Sequence, residues 1–229
     1  MPGSNLIALP HHALLGADLR AGYDVRVAEF LKRKRFAGCA GLELTPAMCE
    51  TVAAMACLMI LRPRAKVFPR LHSVLIYPDA FLVPGQPDED GIVWDDVEER
   101  VGESWGGDKV ILSWPDVEAA IEGDEVNVVV HEFAHQLDAE KAGAEGASPS
   151  LTAERWEGVM SAEYARLQRH RRPPVLDPYG AESPAEFFAV ATEAYFQRGA
   201  LLKQHHSALY ELLRDYFLLE TAEMGWLSR

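Results

Sequence analysis

Apolar positions in the first third of the chain recur three and four apart. Over 17–37, Leu19, Tyr23, Val27, Phe30 and Leu31 fall on one stripe of a 3.6-residue period, which predicts an amphipathic helix. Lys32, Arg33, Lys34 and Arg35 trail it. Basic residues in a last helical turn complement the helix dipole, so this tetrad reads as an ordinary helix end rather than a nuclear or nucleic-acid signal. Thr45 and Pro46 suit the N-cap and first position of a second helix running through Leu61. From about residue 66 the period changes. The runs 73–78 and 109–114 are apolar, bounded by Pro and Gly, and predict strands. The acidic stretch between them, 84–108, is expected to add short strands at 91–94 and 100–101, giving a small, mainly antiparallel sheet. Helical periodicity then returns over 116–122, 125–141, 154–169, 184–198 and 207–219. This order predicts an α+β fold: one unit over 1–229, with an N-terminal helical lobe (1–65) and a core (66–229).

Composition narrows the function classes. A chain that is 48% hydrophobic and 25% charged has ordinary globular usage, which excludes wholesale disorder. Lys plus Arg number 22 against 35 for Asp plus Glu, and a net charge of −13 repels phosphate backbones, so direct nucleic-acid binding is not expected. Cys39, Cys49 and Cys57 are odd in number and lack C-x-x-C spacing, and they read as reduced thiols of a cytosolic protein, buried in the helical lobe. The start of the chain has no basic n-region, and its apolar stretch is broken by His11 and His12. The most apolar run, 52–61, is about ten residues, too short to span a bilayer. The expectation is a soluble, cytoplasmic protein with no membrane partner.

The chemical signal is His131-Glu132-Phe133-Ala134-His135. On a helix, residues i and i+4 share a face, so both imidazoles can address one ion while Glu132 reaches a water on it. That is the H-E-x-x-H arrangement of zinc peptidases. The other reading, a hydrogen-bonded histidine pair in a core helix, is served by the apolar run 126–130 ahead of it. A catalytic zinc needs a third protein ligand and an open position. Positions 138 and 141 are Asp138 and Lys141, so no third histidine follows at metzincin spacing. A carboxylate from a later helix remains, with Glu186 the first candidate. Ser183-x-x-Glu186 with Pro184 between is equally a capping box, and both readings stand on the residues alone. Glu193, on the same helix, fits either a ligand or a residue that accepts a proton from a ligand imidazole. A purely structural zinc site is disfavoured because no cysteine lies near the histidines.

The segments 131–138 and 179–190, with Val74-Leu75-Ile76-Tyr77-Pro78 and Ile111-Leu112-Ser113-Trp114 upstream, resemble the Mlc titration factor A family of bacterial zinc peptidases. The catalytic core of that family is similar to the protease domain of anthrax lethal factor. The resemblance covers about residues 10–220. It implies a zincin-like fold in which His131, His135 and Glu186 bind one zinc per chain, Glu132 is the general base and Tyr179 donates to the oxyanion. It further implies aminopeptidase-like cleavage of peptide substrates, for which Glu182 or Glu193 would anchor the substrate's α-ammonium. Zinc peptidases hold extended substrate on an edge strand, so 109–114 or its neighbour 73–78 is expected to be that strand. A second function of another class is implied as well: a regulatory protein that sequesters the transcriptional repressor Mlc and so modulates sugar-uptake genes.

Overall fold

The computed structural model describes residues 10–79, 108–123, 126–140, 147–170 and 174–223. Helix α1 (Pro10–Leu14) leads into α2 (Ala17–Arg33), strand β1 (Arg35–Gly38), α3 (Pro46–Leu58), β2 (Ser73–Tyr77) and β3 (Lys109–Ser113). Then follow α4 (Trp114–Glu122), α5 (Val128–Ala139), α6 (Ala153–Arg169), a 3₁₀ turn (Pro178–Ala181), α7 (Pro184–Gln197), α8 (Gly199–His205) and α9 (Ser207–Phe217). His11 Nε2 lies 2.8 Å from the Tyr23 hydroxyl and His12 Nε2 lies 3.1 Å from Asp24, so the two histidines that interrupt the apolar start tie α1 to α2.

Two expectations change. The first helix stops at Arg33 rather than running to residue 37, so the basic tetrad straddles its end. Lys34 turns extended and is buried, and its ammonium donates to the carbonyls of Phe68 (2.5 Å) and Leu71 (2.7 Å). Burial lowers its pKa, partly offset by Glu140 and Glu29. The chain then enters β1, so the N-terminal third contributes a strand as well as helices.

The second correction concerns the sheet, which is parallel rather than mainly antiparallel. Its three strands run in the order β1-β2-β3, with Arg35 opposite Ser73 and Ser73 opposite Lys109. Parallel neighbours require a crossover of a dozen or more residues. The stretch between β1 and β2, which holds α3, supplies one; the other lies between β2 and β3. The strands expected at 91–94 and 100–101 lie outside the described residues. In this order β2 is the middle strand, so 73–78 cannot offer a free edge to a substrate, whereas among the described residues β3 pairs on one side only.

Thr45 caps α3 as its sequence predicts, accepting from the Met48 amide at 3.2 Å. Residues Val52 to Leu58 of that helix are all buried, which is what a helix apolar on every face requires. Cys57 is buried within it, while Cys39 and Cys49 are half-buried, and all three are free thiols. A contiguous core runs from Leu15 to Leu219. Helices α5 and α7 lie against each other within it, and β3 lies against α5. No helix among the described residues is long and apolar enough to cross a membrane.

The middle of the metal-type motif is part of this core. The Phe133 ring packs 4.9 Å from Phe68 and 5.7 Å from Phe30, and Phe133 and Ala134 are wholly buried. Phe133→Ala is therefore expected to cost about 3–5 kcal/mol in urea unfolding, as for other large-to-small core changes. Elsewhere, Asp215 of α9 accepts from Arg155 of α6 at 2.6 Å and from Ser150 at 2.8 Å. Burial alone would raise the Asp215 pKa, but Arg155, Ser150 and Arg214 hold it below the usual carboxylate range. A depressed folded pKa contributes stability that is present above the unfolded value, ~3.9, and is lost as pH falls through the folded value. Asp215→Asn should flatten that acid limb of the stability–pH curve, read as melting temperature from pH 6 down.

Candidate metal centre

Helix α5 begins with an unusually well-fixed first turn. Asn127 is its N-cap: the side-chain oxygen accepts from the Val130 amide at 3.0 Å, and its carbonyl accepts from the His131 amide at 2.9 Å. The Asn127 backbone N–H itself donates to Glu193 Oε2 on α7 at 2.8 Å. The other oxygen of Glu193 lies 2.6 Å from His131 Nδ1. One buried carboxylate thus fixes both the start of the helix and the ring of its first histidine. A carboxylate accepts, so Nδ1 carries the proton and Nε2 turns toward the next residues of the site.

Those residues converge. His131 Nε2 stands 3.2 Å from His135 Nε2, the two being brought together by one helical turn. Glu186 Oε2, from α7, stands 3.1 Å from His131 Nε2 and 3.3 Å from His135 Nε2. These three are the only group of three or more His, Cys, Asp or Glu among the described residues whose donor atoms lie within 4.8 Å of one another. Two imidazole nitrogens and a carboxylate oxygen facing a shared point suit a divalent cation, so the residues present fit a metal ion.

The two readings of Glu186 separate here. Ser183 does cap α7, accepting from the Glu186 amide at 3.1 Å, so half of the capping box forms. The Glu186 carboxylate is turned to the histidines. Glu193, in contrast, has both oxygens engaged, one by the Asn127 amide and one by His131 Nδ1, on the far side of the His131 ring from Glu186.

Electrostatics around the cluster favour a cation. Burial works against charge on His131, but the hydrogen bond and charge of Glu193, with Glu132 and Glu186, carry its pKa above the ordinary value. His135 moves down, through burial and the neighbouring His131, with Glu186 only partly compensating. Glu132 is pushed up to about 7, first by burial and then by Glu186 and Glu193, against the pull of His131. Three carboxylates surround two imidazoles, which is a surplus of negative charge at a half-buried point.

Tyr179 comes to the same place. Its ring centre is 6.1 Å from that of His131, and nearly half of its surface remains open. Burial, Glu186, Glu182 and Glu132 all raise its pKa, which keeps the phenol protonated and a donor. The turn that carries it is capped by Asp177, which accepts from the Tyr179 amide at 2.8 Å. Gly180 lets that turn sit tight: a Cβ there would come 3.1 Å from both Leu167 and Val190. Glu182 is exposed at the end of the turn.

Sequence reasoning did not single out Asn127. An Asn directly before three valines and a helical motif is an N-cap signal, but its backbone bond to Glu193 has no sequence signature. Beside the cluster opens a cavity of about 430 Å³ that shares His131, Tyr179 and Glu193 as walls.

The chain is similar to known proteins over nearly its whole length. It is 39% identical over 223 residues to the uncharacterized protein slr2042 of Synechocystis sp., covering 93% of this chain and 81% of that protein. It is 31% identical to Mlc titration factor A of Klebsiella pneumoniae strain 342, covering 95% of this chain and 85% of the relative. Mlc titration factor A of Yersinia pestis strain Pestoides F is 30% identical, with 92% and 84% covered. Residues 5–218 match the family described as glucose-regulated metallo-peptidase M90, which implies a metal ion and a peptidase reaction, and the His131, His135 and Glu186 cluster lies within that match. The chain belongs to the M90 metallopeptidase family.

Proposed function

We propose that this protein is a zinc-dependent, aminopeptidase-like peptidase of the cytoplasm. The observation that carries the reading is the mutual spacing of the three donors, 3.1, 3.2 and 3.3 Å. Donors bonded at ~2.0–2.1 Å in a tetrahedron stand ~3.3 Å apart, and the set of two histidines and a glutamate leaves one position open. In this zincin-like arrangement His131, His135 and Glu186 would hold the ion. When bound, zinc would supply Lewis-acid chemistry, polarising the substrate carbonyl and lowering the pKa of the attacking water.

The chain's own groups do the rest. Glu132, next to His131 and half-buried beside the cluster, takes the proton from the attacking water and returns it to the leaving amine. The Tyr179 hydroxyl donates to the carbonyl oxygen as negative charge gathers there. Glu193 is a positioning residue, keeping His131 Nε2 aimed at the donors. Exposed Glu182, with Glu193 already engaged, is the remaining carboxylate of the two for an α-ammonium anchor. Strand β3 lies against α5, and extended peptide would lie along it there.

A regulatory role in sequestering Mlc rests on the names of the relatives, and nothing in the described surface favours it as the primary function. Glu132→Gln separates the two: hydrolysis is lost, while a binding surface elsewhere survives.

Purified protein should carry about one zinc per chain by plasma emission spectrometry, and Glu186→Ala should lose most of it. Zinc retained by Glu186→Ala would dismiss the ligand assignment. Hydrolysis of alanine p-nitroanilide should stop with chelator and return with zinc, and Glu132→Gln should lower kcat by at least ~100-fold with zinc content unchanged. Glu193→Gln keeps the shape but weakens the hold on His131, so zinc affinity should fall by about 10- to 100-fold in a competitive chelator titration. Unchanged affinity would remove Glu193 from its positioning role.

A further inference from the structure

The cavity beside His131 is unlike the donor cluster in chemistry. Half of its lining is apolar: Ala119 on α4, Val126 and Val128 at the start of α5, Val190 on α7 and the ring of Tyr179. Val126 is 52% and Tyr179 47% exposed, so two large apolar groups on the lining of the cavity that borders the metal-type cluster stand open to solvent. Isolated exposed apolar residues need no explanation, but a contiguous lining next to reactive groups marks a binding surface. The volume, about 430 Å³, is within the ~300–1,000 Å³ of small-molecule pockets and well above what one methyl group fills.

The polar groups on its lining limit what enters. Glu193 is held by His131 and Asn127, and Arg198 donates to the Val175 carbonyl at 2.6 Å. Asp116 and Asp177 are exposed at the same lining. Three carboxylates against one guanidinium make the lining unfavourable for an acidic side chain, while the apolar walls reward a large uncharged one. His131 and Tyr179 are walls of the cavity and members of the site, so the cavity adjoins the metal-type cluster.

We propose that this cavity is the specificity pocket of the site, taking a large apolar side chain, leucine- or phenylalanine-like, of the peptide residue next to the cleaved bond, with the small side chain of Ala119 leaving the room for it. The assignment rests on the peptidase reading above. It is tested with the full-length zinc-loaded protein and a peptide series in which the residues on both sides of the bond are varied among Ala, Leu, Phe, Asp and Lys, cleavage being located by mass spectrometry. Wild type should cleave beside Leu or Phe at least ~10-fold faster in kcat/KM than beside Ala, the scale of one methylene or more in an apolar pocket, and poorest beside Asp. In Ala119→Phe, which fills the pocket, the Leu-to-Ala and Phe-to-Ala ratios should collapse toward one, chiefly through KM. Val126→Asp at the exposed mouth should lower the same ratios and raise cleavage beside Lys, so the test does not depend on one variant folding.

The same peptides, fluorescently tagged, are titrated against Glu132→Gln by anisotropy. If wild type cleaves nothing, the peptidase reading fails, yet tighter binding of Leu and Phe peptides than of Ala peptides, lost in Glu132→Gln/Ala119→Phe, would still uphold the pocket. Cleavage without an apolar preference, or a preference that Ala119→Phe and Val126→Asp leave intact, overturns the pocket and leaves the peptidase standing. Neither cleavage nor binding overturns both.

Discussion

A single buried carboxylate organises the site. Glu193 comes from α7, is 7% exposed, and spends one oxygen on the Asn127 amide and the other on His131 Nδ1. The first bond satisfies one of the donors that a helix start leaves open, and the second fixes an imidazole orientation. Both would be costly to leave unmade in the interior. The result is that α5 and α7 cannot slide past each other without orphaning a buried charge, so Glu186, two turns earlier on α7, is delivered to the histidines at hydrogen-bonding distance.

The helix that carries the histidines works on two faces. His131 and His135 are a turn apart and half-buried, while Phe133 and Ala134 between them are wholly buried. The Phe133 ring meets Phe30 and Phe68, which belong to the N-terminal part of the chain. Close packing at that junction transmits the position of the N-terminal elements directly to the site. Lys34 reinforces it by capping the carbonyls of Phe68 and Leu71, the same stretch that supports Phe133.

Around this frame the sequence departs from what stability alone would select. Glu132, Glu186 and Glu193 crowd two histidines, and the pKa of Glu132 is carried up to about 7 by burial and by its like-charged neighbours. Such repulsion is relieved by a cation, which matches the metal ion that membership of the M90 family implies. Tyr179 is brought to the same point on a 3₁₀ turn whose Gly180 allows the backbone to approach Leu167 and Val190. Local rules that favour order elsewhere, such as a reciprocal capping box, are half-broken at Glu186, whose carboxylate faces the histidines instead.

Much of this was decided locally and so is written in the sequence. The spacing of His131 and His135 fixes a shared helical face, Thr45 and Ser183 fix helix starts, and the apolar periods place α2, α4, α6 and α9 to within a few residues. What the sequence left open are the contacts between elements. A capping Glu and a donor Glu have the same local pattern, and only the packing of α7 on α5 turned Glu186 toward the histidines and Glu193 to the back of one of them. A basic residue after a helix has no local mark that it will be buried; Lys34 became so because the carbonyls of residues 68 and 71 lie where it emerges. Strand direction was likewise unreadable, since a run such as 73–77 is the same sequence beside a parallel or an antiparallel neighbour, and the crossover through α3, a tertiary fact, made its pairing with β1 parallel.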